Sequence, residues 1–222
     1  MLNPRLDILP PAQRSLWPHL ADLPDHFVLY GGTAIALRLG HRESVDFDFF
    51  SDVPLDEALK EKLLSEVSWL VGAQVLQSDR NTLTLGVQHA GSAIKLSFFG
   101  GIRTGRVGAP ERTEDAVLWV ASLDDLMAHK LKVVHDRAEG RDYQDIGVML
   151  VHGQSLAHGL AAMEALFGSH VPAMITLKAL TFFDDVNEAW RLTDQMKTAM
   201  LKASRQLRQH IDPVEIASRS LR

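Results

Sequence analysis

Residues 31–50, GGTAIALRLGHRESVDFDFF, place heavy restrictions on any fold that contains them. Two adjacent glycines follow the apolar run Phe27-Val28-Leu29-Tyr30, which reads as a short strand. A glycine pair lets backbone N–H groups approach a phosphate, because no Cβ stands in the way. Thr33 has the side chain of an N-cap for a helix over Ala34–Leu39, and Gly40 suits its end. A phosphate at that helix start would meet unpaired N–H groups and the positive end of the helix dipole. The polar link His41-Arg42-Glu43-Ser44 leads into Val45-Asp46-Phe47-Asp48-Phe49-Phe50, which alternates with period two. Alternation predicts a strand with Asp46 and Asp48 on one face and Val45, Phe47 and Phe49 on the other. Neighbouring carboxylates repel, and a divalent cation between them relieves that cost. Taken singly, a glycine pair is also an ordinary turn, and Asp-x-Asp an ordinary solvated strand face. Their order and spacing favour a site for nucleotide phosphate and metal, with Gly31, Gly32 and Thr33 at the phosphates and Asp46 and Asp48 at the metal.

The same stretch resembles the signature of the DNA polymerase β-like nucleotidyltransferase superfamily: a hydrophobic residue, Gly-Gly or Gly-Ser, a spacer, then Asp-x-Asp. More narrowly it resembles the AbiEii-type nucleotidyltransferases, the toxin components of type IV toxin–antitoxin and abortive-infection systems. The similarity runs from about residue 12 to about residue 152. It implies Mg²⁺, a nucleoside triphosphate substrate, a transfer-RNA or protein acceptor, and a cognate antitoxin.

A chain of 222 residues accommodates one large domain or two small ones, and 46% apolar residues support a buried core. The absence of cysteine removes disulfides and thiolate metal sites from consideration. The N-terminal MLNPRLDILPPAQ lacks the pattern of a signal peptide, and no apolar run is long enough to span a bilayer. A soluble, cytoplasmic protein without membrane contact is therefore expected. The net charge of −5 argues against general coating of nucleic acid but leaves room for a local basic patch.

Periodicity predicts helices over 12–21 and 55–68, the second started by Ser51-Asp52-Val53-Pro54. Strands are expected over 73–77, 81–88 and 92–99, with turns at Asp79-Arg80-Asn81 and His89-Ala90-Gly91. Lys95 and Ser97 share a strand face, and Lys95 is either solvated or a contact for phosphate or acceptor. The resembled family reads roughly Lys-x-Asp here and draws a third carboxylate from it, whereas this chain carries Ser97. A serine hydroxyl is a poor metal ligand and no base at neutral pH. The glycine-rich segment 100–108 does not match a Walker A loop and reads as a connector.

Ser122-Leu123-Asp124-Asp125 is a capping segment for a helix over 123–137 that carries Lys130 on or beside its apolar stripe. Arg141-Asp142 opens the next helix, and Asp142 and Asp145 share its face. Arg137 can pair with either carboxylate, so these residues form either a salt-bridge cluster between two helices or part of a site. The stretch SLDDLMAHKLKVVHDRAEGRDYQDIGVML resembles the family's later motifs at Asp125, Lys130, Arg137, Arg141, Asp142 and Asp145. The resemblance implies that Lys130 contacts the triphosphate and that the carboxylates Asp142 and Asp145 complete the active site, and Arg141 is expected to share in structure and in nucleotide binding. Helices are also expected over 154–168, 172–190 and 189–209, and Asp184-Asp185 reads as a solvated turn. Residues 195–222 carry six basic side chains against two acidic ones, which suit an RNA acceptor, an acidic partner, or a helix C-terminus.

The expected architecture is α/β (α+β). A small mixed-sheet nucleotidyltransferase core with flanking helices spans 1–108, and a C-terminal helical domain over 109–222 completes the active-site cleft. The expected function is Mg²⁺-dependent nucleotidyl transfer, with Asp46, Asp48, Lys130 and Asp145 catalytic and with Gly31, Gly32, Thr33, Lys95, Lys130 and Arg141 holding the nucleotide. Ser97 supports an alternative, a non-catalytic nucleotide- or partner-binding protein of the same fold. A Mg²⁺ phosphohydrolase using the same Asp pair is a third.

Overall fold

Local contacts divide the chain into two units in the computed structural model, which describes residues 1–168, 173–187, 191–207 and 211–222. The first unit comprises Met1–Gly105, Ala109–Ala121 and Arg219–Arg222; the second comprises Arg106–Gly108 and Ser122–Ser218. The linear division expected at residue 108 thus becomes interleaved.

The first unit is built on β1 (Val28–Tyr30), α2 (Gly31–Leu39), β2 (Phe47–Phe50), α3 (Glu57–Glu66), β3 (Gln74–Asp79), β4 (Thr82–His89), β5 (Ser92–Phe99), β6 (Glu111–Arg112) and β7 (Trp119–Val120), preceded by α1 (Pro11–Leu16). The strands form one mixed sheet in the order β3-β4-β5-β2-β1-β7-β6. The β2–β5 and β1–β7 pairs are parallel and the others antiparallel. Ala90 and Gly91 both take positive φ, 48° and 79°, giving the left-handed two-residue turn that matches the twist of a hairpin. Strand alternation is clean in the centre of the sheet. Leu29, Phe47, Phe49, Leu83, Leu85, Leu96 and Phe98 are buried and share one face through the ladder register. Phe49 stacks on Phe98 with ring centroids 5.2 Å apart. Each such ring removed from water contributes roughly 1.5–3 kcal/mol. The opposite face carries the row Tyr30, Asp48, Ser97 and Thr84.

Two expected helices of the first unit are shorter than their periodicity suggested. Over 12–21, α1 stops at Leu16 and the chain continues as a 3₁₀ segment over Trp17–Asp22, because Pro18 has no N–H for the α-helical ladder. The helix expected from Ser51–Pro54 begins only at Glu57, where the Asp56 carboxylate accepts from Leu59 N–H at 2.9 Å. Lys60 of that helix is buried and donates to Glu57, Ser78 and the carbonyl of Asp79.

The second unit is helical: α4 (Leu123–Asp136), α5 (Gly140–Val151), α6 (Leu156–Phe167), α7 (Ala173–Thr181) and α8 (Asp194–Gln206). Ser122, Ser155 and Thr193 cap α4, α6 and α8 through their hydroxyls. α7 stops at Thr181, short of the helix expected over 172–190, and α8 starts only at Asp194, capped by Thr193, instead of at 189; residues 172, 188–190 and 208–209 of those expectations lie outside the described residues. Helices pack closely where glycine removes a side chain. A Cβ on Gly159 of α6 would lie 2.5 Å from Met127 Cγ and 3.0 Å from Leu131 Cδ1 of α4.

His129 of α4 meets the ring of Phe167 edge-on at 5.0 Å, and burial pulls its pKa down to about 4. The fold therefore prefers the neutral imidazole. In the unfolded chain the imidazole takes up its proton near pH 6.5, so stability is full above that pH and falls as pH drops from 6.5 toward 4. Titrating the unfolding free energy of His129→Gln against the parent is expected to flatten this part of the profile. Gly159→Val is expected to cost about 1–3 kcal/mol in urea unfolding, because Met127 and Leu131 are buried and cannot both yield.

Candidate active site

β1 runs into α2 without a loop. Tyr30 occupies the N-cap position in an extended conformation and offers no side-chain cap, and Gly31 takes φ +71°. Antiparallel register puts Asp48 opposite Tyr30, one residue before that turn. A Cβ on Gly31 would lie 2.6 Å from Asp48 Oδ2, so the carboxylate fills the volume a side chain would need. Glycine is required twice here, for its backbone conformation and for the space beside Asp48. The glycine turn and the second aspartate, linked only by spacing in the sequence, are in contact.

Thr33 and Val45 depart from their expected places. Thr33 is the third residue of α2, not its N-cap, and is 2% exposed. Its hydroxyl donates to the Asp46 carbonyl and meets Ser44 Oγ at 2.7 Å. The strand begins at Phe47, so Val45 lies before it and is 41% exposed instead of joining the apolar face. Asp46 and Asp48 are both half-buried.

In the parallel β2–β5 ladder Ser97 is the partner of Asp48, and it is buried. The position from which the resembled family draws its third carboxylate is therefore one inter-strand spacing from Asp48, roughly 4.8 Å. Lys95 is exposed, lies two residues earlier on the same face, and is the ladder partner of Gly86. Among the described residues no group of three His, Cys, Asp or Glu could hold a metal ion alone. The donors on offer are the two carboxylates of Asp46 and Asp48. That number fits Mg²⁺, which takes one or two carboxylates and completes its shell with water and substrate phosphate oxygens.

The second unit holds a separate charged cluster. Lys130 Nζ lies 2.6 Å from Asp142 Oδ1 and 2.7 Å from Asp145 Oδ2. Arg137 Nε lies 3.1 Å from Asp142 Oδ2, and both aspartates are buried. Burial is the largest influence on the Lys130 ammonium and lowers its pKa, but Asp145 and Asp142 together outweigh it and raise the pKa above the usual lysine value. Arg141 is exposed. Asp125 is buried as well. It accepts from Val107 N–H at 2.8 Å, Gly108 N–H at 3.1 Å and the Ser122 hydroxyl at 2.5 Å, while burial pushes its carboxyl up. The end of the glycine-rich segment thus holds a protein carboxylate with its backbone amides.

Sequence reasoning passed over Gln13 and Ser44, and over the docking of the C-terminal residues. Gln13 Nε2 donates to the Val45 carbonyl at 3.2 Å from a buried position. Asp52 accepts from Ser220 and from the Leu221 N–H, and Arg222 pairs with Asp25 and lies over the Trp119 ring at 5.1 Å. No local pattern marks these pairings, which join residues far apart in the chain.

The profile of the nucleotidyl transferase AbiEii toxin family of type IV toxin–antitoxin systems matches residues 16–212. An uncharacterised protein of Aquifex aeolicus is 30% identical over 168 residues, covering 73% of this chain and 76% of that one. Two solved structures share the fold at 18% identity. One is MenT4, a nucleotidyltransferase toxin of Mycobacterium tuberculosis, with a TM-score of 0.59, covering 92% of this chain and 84% of its own. The other is a Helicobacter pylori protein assigned as a nucleotidyltransferase, with a TM-score of 0.54, covering 89% and 96%.

Replacing Lys130 by methionine leaves Asp142 and Asp145 buried without their shared cation. The expected cost is about 3–5 kcal/mol in urea unfolding at neutral pH.

Proposed function

The chain belongs to the AbiEii nucleotidyl transferase toxin family of type IV toxin–antitoxin systems, and from that membership we propose that it moves a nucleoside monophosphate from a nucleoside triphosphate to an RNA, tRNA foremost, or to a protein hydroxyl. One observation carries the reading: the Asp48 carboxylate lies against Gly31 at the start of a helix that has no side-chain cap.

In this reading the first amides of α2, at Gly31 and Gly32, hold the terminal phosphates. Asp46 and Asp48 hold Mg²⁺, which when bound supplies positive charge to the triphosphate oxygens and to the oxygen that attacks. The acceptor hydroxyl attacks the α-phosphorus. The bond from that phosphorus to the bridging oxygen breaks, and pyrophosphate leaves with the electron pair. Lys95, exposed beside Ser97 on the same sheet face, is assigned to a phosphate of the nucleotide or to the acceptor. Lys130 is assigned to the triphosphate on the family resemblance and Arg141 to the nucleotide as well, while Asp142 or Asp145 takes the acceptor's proton in place of the missing third carboxylate. A cognate antitoxin and a cytoplasmic setting follow from the same resemblance; among the described residues no helix is long and apolar enough to cross a membrane.

Ser97 favours a second reading. The neighbour of Asp48 is a hydroxyl where the family draws a third carboxylate, so the chain would bind nucleotide or a partner without turnover. Incubation with each labelled nucleoside triphosphate, Mg²⁺, and total cellular RNA and protein separates the two. Labelled acceptor with released pyrophosphate is the outcome of the first reading, and binding without release is that of the second. Absence of nucleotide binding removes both.

Asp48→Asn is expected to lower transfer by more than about a hundredfold with the fold retained, read as labelled acceptor per unit time. Gly31→Ala is expected to do nearly as much, because its Cβ displaces the Asp48 carboxylate and the left-handed backbone costs roughly 1–2 kcal/mol.

A further inference from the structure

Three consecutive residues ahead of β2 are pinned by groups from elsewhere in the first unit. The Ser44 N–H donates to the Ile8 carbonyl at 3.3 Å, the Val45 carbonyl accepts from Gln13, and the Asp46 carbonyl accepts from Thr33. Gln13, Thr33 and Ser44 are all buried. The order of protons in this cluster follows from chemistry. A carbonyl only accepts, so the single Thr33 proton points to Asp46, and Ser44 must give its own proton to Thr33 Oγ1. A threonine inside a helix usually bonds back to the carbonyl one turn earlier. Thr33 sits in the first turn, and the residue four back, Leu29, is in β1, so its hydroxyl reaches sideways to the loop.

We propose that Thr33 is a positioning residue: the Ser44–Thr33–Asp46 relay fixes the backbone of Asp46 against α2, so that the aspartate reaches a divalent cation without rearrangement. The first turn of α2 then sets both acids. Gly31 admits the Asp48 carboxylate by having no side chain, and Thr33, two residues on, holds Asp46 by its hydroxyl. Thr33 acts through Asp46 and not by touching phosphate, since its hydroxyl is buried and already engaged on both sides. The inference rests on the reading of Asp46 as a metal ligand given under the proposed function.

The test is a cycle of four full-length proteins: the parent, Thr33→Val, Asp46→Asn and the double variant, with Thr33→Ser alongside. Mn²⁺ binding in the presence of a nucleoside triphosphate is read by electron paramagnetic resonance, and thermal unfolding is followed in parallel. Outer-shell partners of metal ligands are worth 10–100-fold in affinity, so Thr33→Val is expected to weaken Mn²⁺ binding by about that factor. Thr33→Ser is expected to restore it to within about threefold, because the hydroxyl and its two partners remain. In the Asp46→Asn background Thr33→Val is expected to add nothing. Parent-like binding by Thr33→Val overturns the proposal, as does a failure of Thr33→Ser to rescue, or a further loss in the double variant. If Asp46→Asn itself binds Mn²⁺ normally, the metal assignment fails and the relay falls with it; normal Thr33→Val beside a weak Asp46→Asn sinks the relay alone. Should Thr33→Val not fold, Ser44→Ala takes its place. It is expected to weaken binding about tenfold, the lower end of that range, and unchanged binding again overturns the proposal.

Discussion

The carboxylate of Asp48 occupies the space beside Gly31 that any other residue would fill with its own side chain. That contact needs a residue without Cβ, a backbone at φ +71°, and a strand whose register puts Asp48 opposite Tyr30. Each condition constrains the others. With a loop between β1 and α2, the first amides of the helix would not lie over β2. With a one-residue slip of β2, Asp48 would move to the buried face and Phe47 or Phe49 would replace it, which the aromatic core of Phe27, Phe49 and Phe98 opposes. The hydrophobic face of the sheet thereby sets the orientation of its polar face.

Buried carboxylates are managed in two different ways in the helical unit. Asp142 and Asp145 share the ammonium of Lys130, whose own desolvation is more than offset by the two negative charges. Asp125 instead relies on two backbone amides and a hydroxyl, with burial still the dominant influence on its carboxyl. The first arrangement joins α4 to α5 and is expensive to break from one side only. The second ties the end of the glycine-rich segment to the start of α4. Gly108 is needed there because a Cβ would come within 2.2 Å of Ser122 Oγ.

Much of the fold was legible because its signals are local. Ser122 capping α4, Gly40 ending α2 in a left-handed conformation, and the alternation of Phe47-Asp48-Phe49 each depend on residues within a few positions. Misplaced boundaries have local causes too. Pro18 removes an N–H in the middle of an otherwise good helical stripe, and α3 starts later than Ser51–Pro54 because the Asp56 carboxylate caps it at Leu59 N–H. The two-residue strands β6 and β7 have no usable period, and it is the pairing of β7 with β1, and of β6 with β7, that joins residues 109–121 to the first unit.

For the candidate site the division is similar. The glycine pair, the two aspartates, the serine beside them and the family were all readable, since each is a matter of residue type and spacing along one strand and one helix. Their contacts were not. Thr33 read as a cap from its neighbours, yet its hydroxyl serves the Asp46 carbonyl, and Gln13 joins through a bond spanning 32 residues. Sequence determined which chemical groups the chain brings and which faces they occupy, because propensity and periodicity act over a few residues. Tertiary structure decided which of those groups touch, because a buried hydroxyl or carbonyl takes whatever partner the packed sheet and helices leave within hydrogen-bond reach.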